Sequence, residues 1–353
     1  MAYCTTRLAE ELAGEFDVSI VSFRRQYPKR FYPGRSDIDE TLRERKPANA
    51  EFRLDILNPL TWLSTGWRMR RSKPDAVVLV WWIWVWALPY LLLMAMLPRR
   101  TKVILQCHNI ADKEPARWKS WLTNRVLRRG DVLIVHAETE LLEAIQRVGG
   151  RRIVNANLPV FEVGGEMPPR DAAKESLGLG GRNVALFFGH IRPFKGLDIA
   201  LRAWRDVKSD AVLLVAGEAW WDSEQEYRRL AEGLPNVRLE FRFIPDAEIA
   251  NYFAAADVVL APYRLEAQSG VILTAFHFGR PVIATRVGGI PQLVADEVNG
   301  YLIDPDPQAL AAAVDRFFTA AEASKLEGGA RRTARMNSWE DYGNLLSRLV
   351  RQP

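Results

Sequence analysis

Two stretches of this sequence combine residue types and spacings that can grip a diphosphate. The first, Gly189-His190-Ile191-Arg192-Pro193-Phe194-Lys195-Gly196, is a glycine-punctuated basic loop between an apolar run at 184–188 and a helical pattern at 197–204. Arg192 and Lys195 bring positive charge for phosphate oxygens, while Gly189 and Gly196 let the backbone come close. The second stretch sets Glu266 ahead of Gln268-Ser269-Gly270-Val271 and a short apolar helix, with Gly279-Arg280-Pro281 opening a buried strand at 282–285. A helix starting after Ser-Gly has backbone N–H groups without intrahelical acceptors and the positive end of the helix dipole, which together suit phosphate. Taken singly, each stretch also reads as an ordinary surface turn. Their order along one chain narrows the chemistry.

Such loops need strand ends to hold them, and in open α/β sheets ligands sit beyond the carboxyl ends of the strands. The chain has the required βα rhythm. In the first half, strands are expected at 17–23, 102–106 and 131–135, with a helix at 141–148. The second of these strands delivers His108 to its end. The residue alone also reads as a half-buried histidine bonded to a backbone carbonyl. His136, after the third strand, reads as structural. From 76 to 97 no side chain is charged. Length nominates this run as a membrane span. Its β-branched, tryptophan-rich beginning and the interruption at Pro89 favour a core strand at 76–82 and a helix at 88–97. Residues 160–174, rich in Gly, Pro and charge, read as a linker, and 338–351 as an amphipathic helix. Asp37 with Asp39, and Asp304 with Asp306, look like acidic metal pairs but sit in turn-like contexts. No metal site is expected.

Together these segments resemble glycosyltransferase family 4, retaining enzymes of the GT-B fold, over most of the chain. Gly189 through Lys195-Gly196 resembles the family's basic loop, and Ala216-Gly217-Glu218 its strand-end turn. The strand 254–262 resembles the one entering its acidic motif. The run 279–285, Gly288-Gly289-Ile290-Pro291 and Asn299-Gly300 resemble its donor-side strand and turns. Two departures stand out. The family's second glutamate falls on Thr274, whose hydroxyl bonds a ribose without charge assistance, and the arginine beside the loop glycine is His190. Gln268-Ser269-Gly270-Val271 resembles a subgroup lacking that second glutamate.

The resemblance implies an α/β protein with two Rossmann-like domains facing across a cleft. An acceptor-side domain would span 1–162 and a nucleotide-sugar donor domain 163–335, with a last helix at 336–353 packing back toward the first. Family members begin with a strand and a Gly-rich turn, whereas this sequence opens on a helical pattern at 5–16. The first N-terminal strand is therefore expected to be missing, the start being truncated by ~10–20 residues. A loop around 24–28 and 32–34 would line the acceptor side. His108, Glu266, Arg192 and Lys195 are the implied catalytic residues, with Glu266 and His108 near the sugar. Gly189, Gly217, Glu218, Ile244, Gln268, Ser269, Gly270, Val271 and Thr274 would bind the donor, with Thr274 on the ribose and Glu218 and Phe243-Ile244 near the base. The implied reaction moves a sugar from a nucleotide-diphosphate donor to a glycan or lipid-linked acceptor, in envelope or exopolysaccharide synthesis, with no bound cofactor. The alternatives are a non-catalytic or truncated donor-binding homologue, or a nucleotide-sugar epimerase of the same fold.

Composition bounds the rest. Hydrophobic content of 48% and charged content of 26% over 353 residues suit two globular domains and exclude a disordered chain. Two cysteines are too few for a disulfide framework, so a cytoplasmic protein is expected. The net charge of +5 is concentrated in the first half. That suits peripheral contact with an acidic membrane surface at the inner face of the membrane, or a generic solvated surface. No nucleic-acid motif accompanies it.

Overall fold

The computed structural model describes residues 2–27, 50–110, 116–163, 165–219, 224–265, 268–320 and 322–352. They form two compact units, one of residues 1–158 with 339–353, the other of 159–338. Asp37, Asp39 and the loop at 32–34 lie outside the described residues.

The first unit opens on α1 (Ala2–Leu12), which buries Cys4, Leu8 and Leu12 at i, i+4 spacing. Strands β1 (Ile20–Arg25) and β2 (Ala50–Asp55) pair in parallel as a two-stranded sheet. β1 starts later than the pattern suggested, at the first fully buried residue, Ile20. Helix α2 (Pro59–Ser72) is capped by Asn58, whose Oδ1 accepts from Leu60 N at 3.1 Å, and starts on a proline. The uncharged run then divides into β3 (Ala76–Trp81), a 3-10 turn (Trp84–Trp86) and α3 (Ala87–Met96). Trp81 and Trp86 fill the core beside the strand. No described helix is long and apolar enough to cross a membrane. The chain continues through β4 (Lys102–Cys107), α4 (Arg117–Leu127), β5 (Val132–Val135), α5 (Glu138–Val148) and β6 (Arg152–Asn155). Strands β3-β4-β5-β6 form a parallel sheet in that order, the product of successive βα crossovers.

The second unit begins before its first strand. Residues 160–174 are not a linker throughout. Helix α6 (Arg170–Ser176) starts within them, because Lys174 is buried in an ion pair with Asp257 at 2.8 Å. The same Asp257 oxygen accepts from Val184 N at 2.8 Å, which fixes α6 to the start of β7 (Asn183–Phe188). A charge pair this buried holds only when its remaining lone pairs are bonded, as here.

After β7 come α7 (Leu197–Ala203), β8 (Ala211–Ala216), α8 (Glu224–Leu230), β9 (Val237–Glu240), α9 (Asp246–Ala255) and β10 (Val258–Ala261). The chain ends this unit through α10 (Gly270–His277), β11 (Val282–Thr285), α11 (Ile290–Leu293), β12 (Gly300–Ile303), α12 (Pro307–Thr319) and α13 (Ala323–Met336). Asp306 caps α12, its carboxylate accepting from Ala309 N at 2.9 Å, so this acidic residue has a backbone task. The last helix, α14 (Trp339–Arg351), belongs to the first unit. There it buries Leu346 and Leu349, and its Leu349 carbonyl accepts from Lys102 Nζ at 3.0 Å.

The sheet of the second unit runs β12-β11-β10-β7-β8-β9, all parallel. From β7 the chain winds outward through β8 and β9, then returns to lay β10 on β7's other edge. The order therefore reverses between β7 and β10. Crossovers leave that point in opposite directions, and in open α/β sheets such a reversal is where ligands bind.

Candidate active site

The two loops whose sequences suit phosphate flank this reversal, since residues 189–196 follow β7 and residues 262–265 follow β10. Backbone contact sets their shape. Gly189 N donates to the Ala216 carbonyl at 2.9 Å, and Ile191 N to the Glu218 carbonyl at 2.9 Å, so the β7 loop runs beside the end of β8. At Gly217, a Cβ would stand 2.0 Å from the Gly189 carbonyl oxygen. At Gly196, with φ of 71°, a Cβ would stand 2.0 Å from the Pro262 carbonyl oxygen, which joins the β7 loop to the β10 loop. No other side chain fits either place. Gly189 packs on Val271, the second residue of α10.

Arg264 reinforces this join. Its backbone N donates to Phe194 O at 2.7 Å, and its guanidinium binds Asp198 of α7 through both nitrogens at 2.8 and 2.6 Å. Burial pushes the Asp198 carboxyl up, but the Arg264 guanidinium outweighs it and holds the group below its ordinary range.

Lys195 and Ser269 meet on one side chain. Lys195 Nζ lies 5.2 Å from the centre of the Tyr263 ring, and Ser269 Oγ donates to Tyr263 Oη at 3.3 Å. Tyr263 is buried, so it forms a fixed floor beneath both. Ser269 also caps α10, its Oγ accepting from Ile272 N at 3.3 Å. The serine side chain thus serves the helix, and the donors with no i−4 carbonyl to bond are the amides of Gly270 and Val271. Gly270 is exposed, Val271 and Gln268 half-buried. Arg192 is half-buried, its guanidinium 5.9 Å from the Phe194 ring. Glu218 is half-buried, with Oε2 4.0 Å from His190 Nδ1.

Three expected donor contacts fare differently. Thr274 is buried, and its hydroxyl donates to the Gly270 carbonyl at 2.8 Å. Its proton is therefore spent inside α10, one turn back along the helix. Ile244 is buried in the core while its neighbour Phe243 is 47% exposed, so the ring with an open face is Phe243. Glu266 lies outside the described residues. Arg280, at the entry to β11, is also structural. Its guanidinium is buried and donates to the carbonyls of Phe253 and Ala254 at 2.8 and 2.9 Å.

His108 belongs to the first unit, just beyond β4, where its N donates to Trp81 O at 2.8 Å. Its ring lies 5.3 Å from that of His136. Nε2 is buried and has no hydrogen-bond partner among the described residues. Burial, then the His136 ring, depress its pKa well below the ordinary range, so near neutral pH it is an uncharged imidazole. It can exchange a hydrogen bond with a hydroxyl but supplies no charge. His136 Nδ1 faces the Ala156 carbonyl at 2.8 Å, and burial lowers its pKa to about 4. Its role is structural.

A family profile described as "Glycosyl transferases group 1" matches residues 182–320, and one described as "Glycosyl transferase 4-like domain" matches 1–157. The chain belongs to the group 1 glycosyltransferases. Among solved structures, this group 1 chain resembles sucrose-phosphate synthase from Thermosynechococcus elongatus, with a TM-score of 0.73 at 20% identity over 98% of this chain and 91% of that one. It resembles HepE from Anabaena, solved in complex with UDP and glucose, equally well: TM-score 0.73, 19% identity, 98% of this chain and 94% of that one. Both likenesses show the GT-B fold. The D-inositol 3-phosphate glycosyltransferase of Segniliparus rotundus is 37% identical over 169 residues, 45% of this chain and 37% of that protein. The match thus spans under half the length of this curated relative, as it does for others of the group.

Tyr263 and Arg264 are the site residues that sequence reasoning missed. Neither carries a motif signal: one is an aromatic after a strand, the other a cation beside an acidic loop. Tyr263 stands directly after the strand and Pro262, which was the only available hint.

Proposed function

We propose that this protein is a retaining glycosyltransferase. It moves a hexosyl group from a nucleoside-diphosphate donor to the hydroxyl of a glycan or lipid-linked acceptor, in the cytoplasm, for envelope or exopolysaccharide synthesis. The observation that carries this reading is the meeting of Lys195 and Ser269 on Tyr263, at the reversal between β7 and β10. HepE, which shares the fold, was solved with UDP and glucose, and the Segniliparus relative is named for transfer to an inositol phosphate.

In this reading the bond from the sugar's anomeric carbon to the diphosphate breaks, and its electron pair leaves on the phosphate oxygen. The acceptor oxygen bonds that carbon and passes its proton to an oxygen of the leaving diphosphate. Lys195, Arg192 and the amides of Gly270 and Val271 stabilise the charge that grows on the diphosphate. Preorganised donors of this kind are worth about 3–4 kcal/mol each when removed singly. The two cations supply locally the charge that a metal ion supplies elsewhere, which supports transfer without a bound metal. Glu266 would orient the sugar, and His108, neutral, would bond one of its hydroxyls. Phe243 offers an open face to the base.

A panel of nucleoside diphosphate sugars in a thermal-shift assay is the first test, since a ligand of the folded state raises the melting temperature. The donor that shifts it is then incubated with acceptors, and the product's anomeric configuration is read by NMR. Inversion of configuration, or no shift with any donor, defeats the proposal. A shift without turnover would instead support the donor-binding homologue. Thr274 favours that second reading, since no second carboxylate stands there for the ribose and the hydroxyl proton is already bonded to Gly270 O.

A further inference from the structure

In the first unit α2 packs on α3, and α3 on α4. The approach at Gly66 is so close that an added Cβ would stand 2.5 Å from Met96 Sδ. Their inward faces build the core, while their outward faces are apolar too. On α2, Leu60, Leu63 and Trp67, spaced i, i+3, i+7, are 71%, 45% and 53% exposed. Leu88 of α3 is 58% exposed, and Trp118 and Trp121 of α4 are 54% and 55% exposed. A surface helix normally turns such a stripe inward, so three neighbours turning one outward mark an interaction face.

Cations surround the stripe. Arg71 lies 4.5 Å over the Trp67 ring, Arg125 4.6 Å over Trp121, and Lys119 5.3 Å over Trp84, whose ring meets Trp118 edge-on at 4.6 Å. None of the three helices contains Asp or Glu. A hollow of about 520 Å³ opens along α4, lined by Arg117, Ser120, Trp121, Asn124, Arg125 and Arg128.

We propose that this face of α2, α3 and α4 docks on an anionic lipid bilayer. Indole rings and leucines enter the boundary between headgroups and acyl chains, where tryptophan is favoured. Arginines and lysines meet the lipid phosphates, and the hollow along α4 receives one headgroup. Charge decides between occupants. A second copy using the same patch would set cations against cations. A nucleic acid would match the charge but leave the leucine stripe without an apolar partner. This inference goes beyond the transfer reaction and does not depend on it.

The test is flotation of the full chain with vesicles of phosphatidylcholine alone or with phosphatidylglycerol added. The chain is expected to float with the anionic vesicles at least about tenfold more strongly, to lose that advantage in high salt, and to shift its tryptophan emission to the blue on binding. Replacing Trp67, Trp118 and Trp121 by Ser, or separately Arg125→Glu with Arg128→Glu, should weaken partition about tenfold or more. Melting temperatures should stay unchanged, because these side chains face solvent. Arg125→Lys with Arg128→Lys should retain binding, which separates a charge effect from a folding defect. The proposal is overturned by any of three results: no flotation of the unaltered chain, flotation of both variant sets equal to that of the unaltered chain, or light scattering that shows a dimer abolished by the same variants while vesicles are ignored.

Discussion

In the second unit, the loops after β7, β8 and β10 are held by backbone pressed on backbone. Pro262 O sits where a Gly196 Cβ would be, and Gly189 O where a Gly217 Cβ would be. In the first unit, His108 is held by its backbone hydrogen bond to Trp81 O, by burial and by the neighbouring His136 ring, and its side chain packs among rings rather than against backbone. The contrast shows two ways to fix a polar group. Backbone contacts make a rigid cradle whose ends stay open to a charged ligand. Burial among rings fixes one orientation but strips the group of charge. Under the proposed function, the former would suit a leaving diphosphate and the latter a sugar hydroxyl.

Four experiments press on that contrast. The largest effect is expected at Lys195. If the cradle stabilises departing charge, Lys195→Ala lowers the transfer rate ~10²–10³-fold with an unchanged melting temperature. A loss under tenfold would mean that the cation lies off the reaction. Next, Gly196→Ala should cost about 3 kcal/mol or more in urea unfolding of the second unit, combining backbone strain with the clash at Pro262. Gly180 also has positive φ but nothing within 4 Å of an added Cβ, so Gly180→Ala should cost only about 1 kcal/mol. Equal costs would dismiss the backbone-contact account.

The histidine side of the contrast makes a pH prediction of similar size. The pKa of His136 falls from an ordinary 6.5 to about 4 on folding. Below pH 6.5 the unfolded chain therefore takes up a proton that the folded chain refuses. Stability contributed by this burial is complete above pH 6.5 and declines toward pH 4 by roughly 3 kcal/mol, with His108 adding in the same direction. His136→Asn should flatten that slope in unfolding measured from pH 7 to pH 4, and an unchanged slope would place the proton uptake elsewhere. The smallest effect is expected at Thr274. With its hydroxyl spent on Gly270 O, Thr274→Val should change donor affinity less than about threefold, a loss of under 1 kcal/mol. A tenfold loss by calorimetry would restore it as a ribose ligand.

Much of this was legible in the residues. The glycines at 189 and 196 announced a loop whose backbone comes close to a neighbour, which at Gly196 is the Pro262 carbonyl. Most apolar runs announced strands within a residue or two, because buried parallel strands have little choice of composition, but β1 starts three residues later than expected and the strand expected at 254–262 is confined to 258–261, its first residues closing α9. The run at 76–97 resolved as a strand and a helix for the reason its composition gave. Less legible were the stretch at 160–174, where a buried ion pair turns an apparent linker into a helix, and Thr274, which helix geometry turns inward onto its own carbonyl. Tyr263 and Arg264 were hardly legible, since the role of Arg264 depends on Asp198, 66 residues away, and that of Tyr263 on Lys195 from another loop.

The chain's own order of residues determined its βα rhythm, its glycine turns and the charges available to each loop, because these depend on local sterics and composition. Only the folded sheet decided that β10 returns to the edge of β7, and so which two loops lie side by side. That choice comes from strands distant along the chain competing for the same edge, a contest no single segment records.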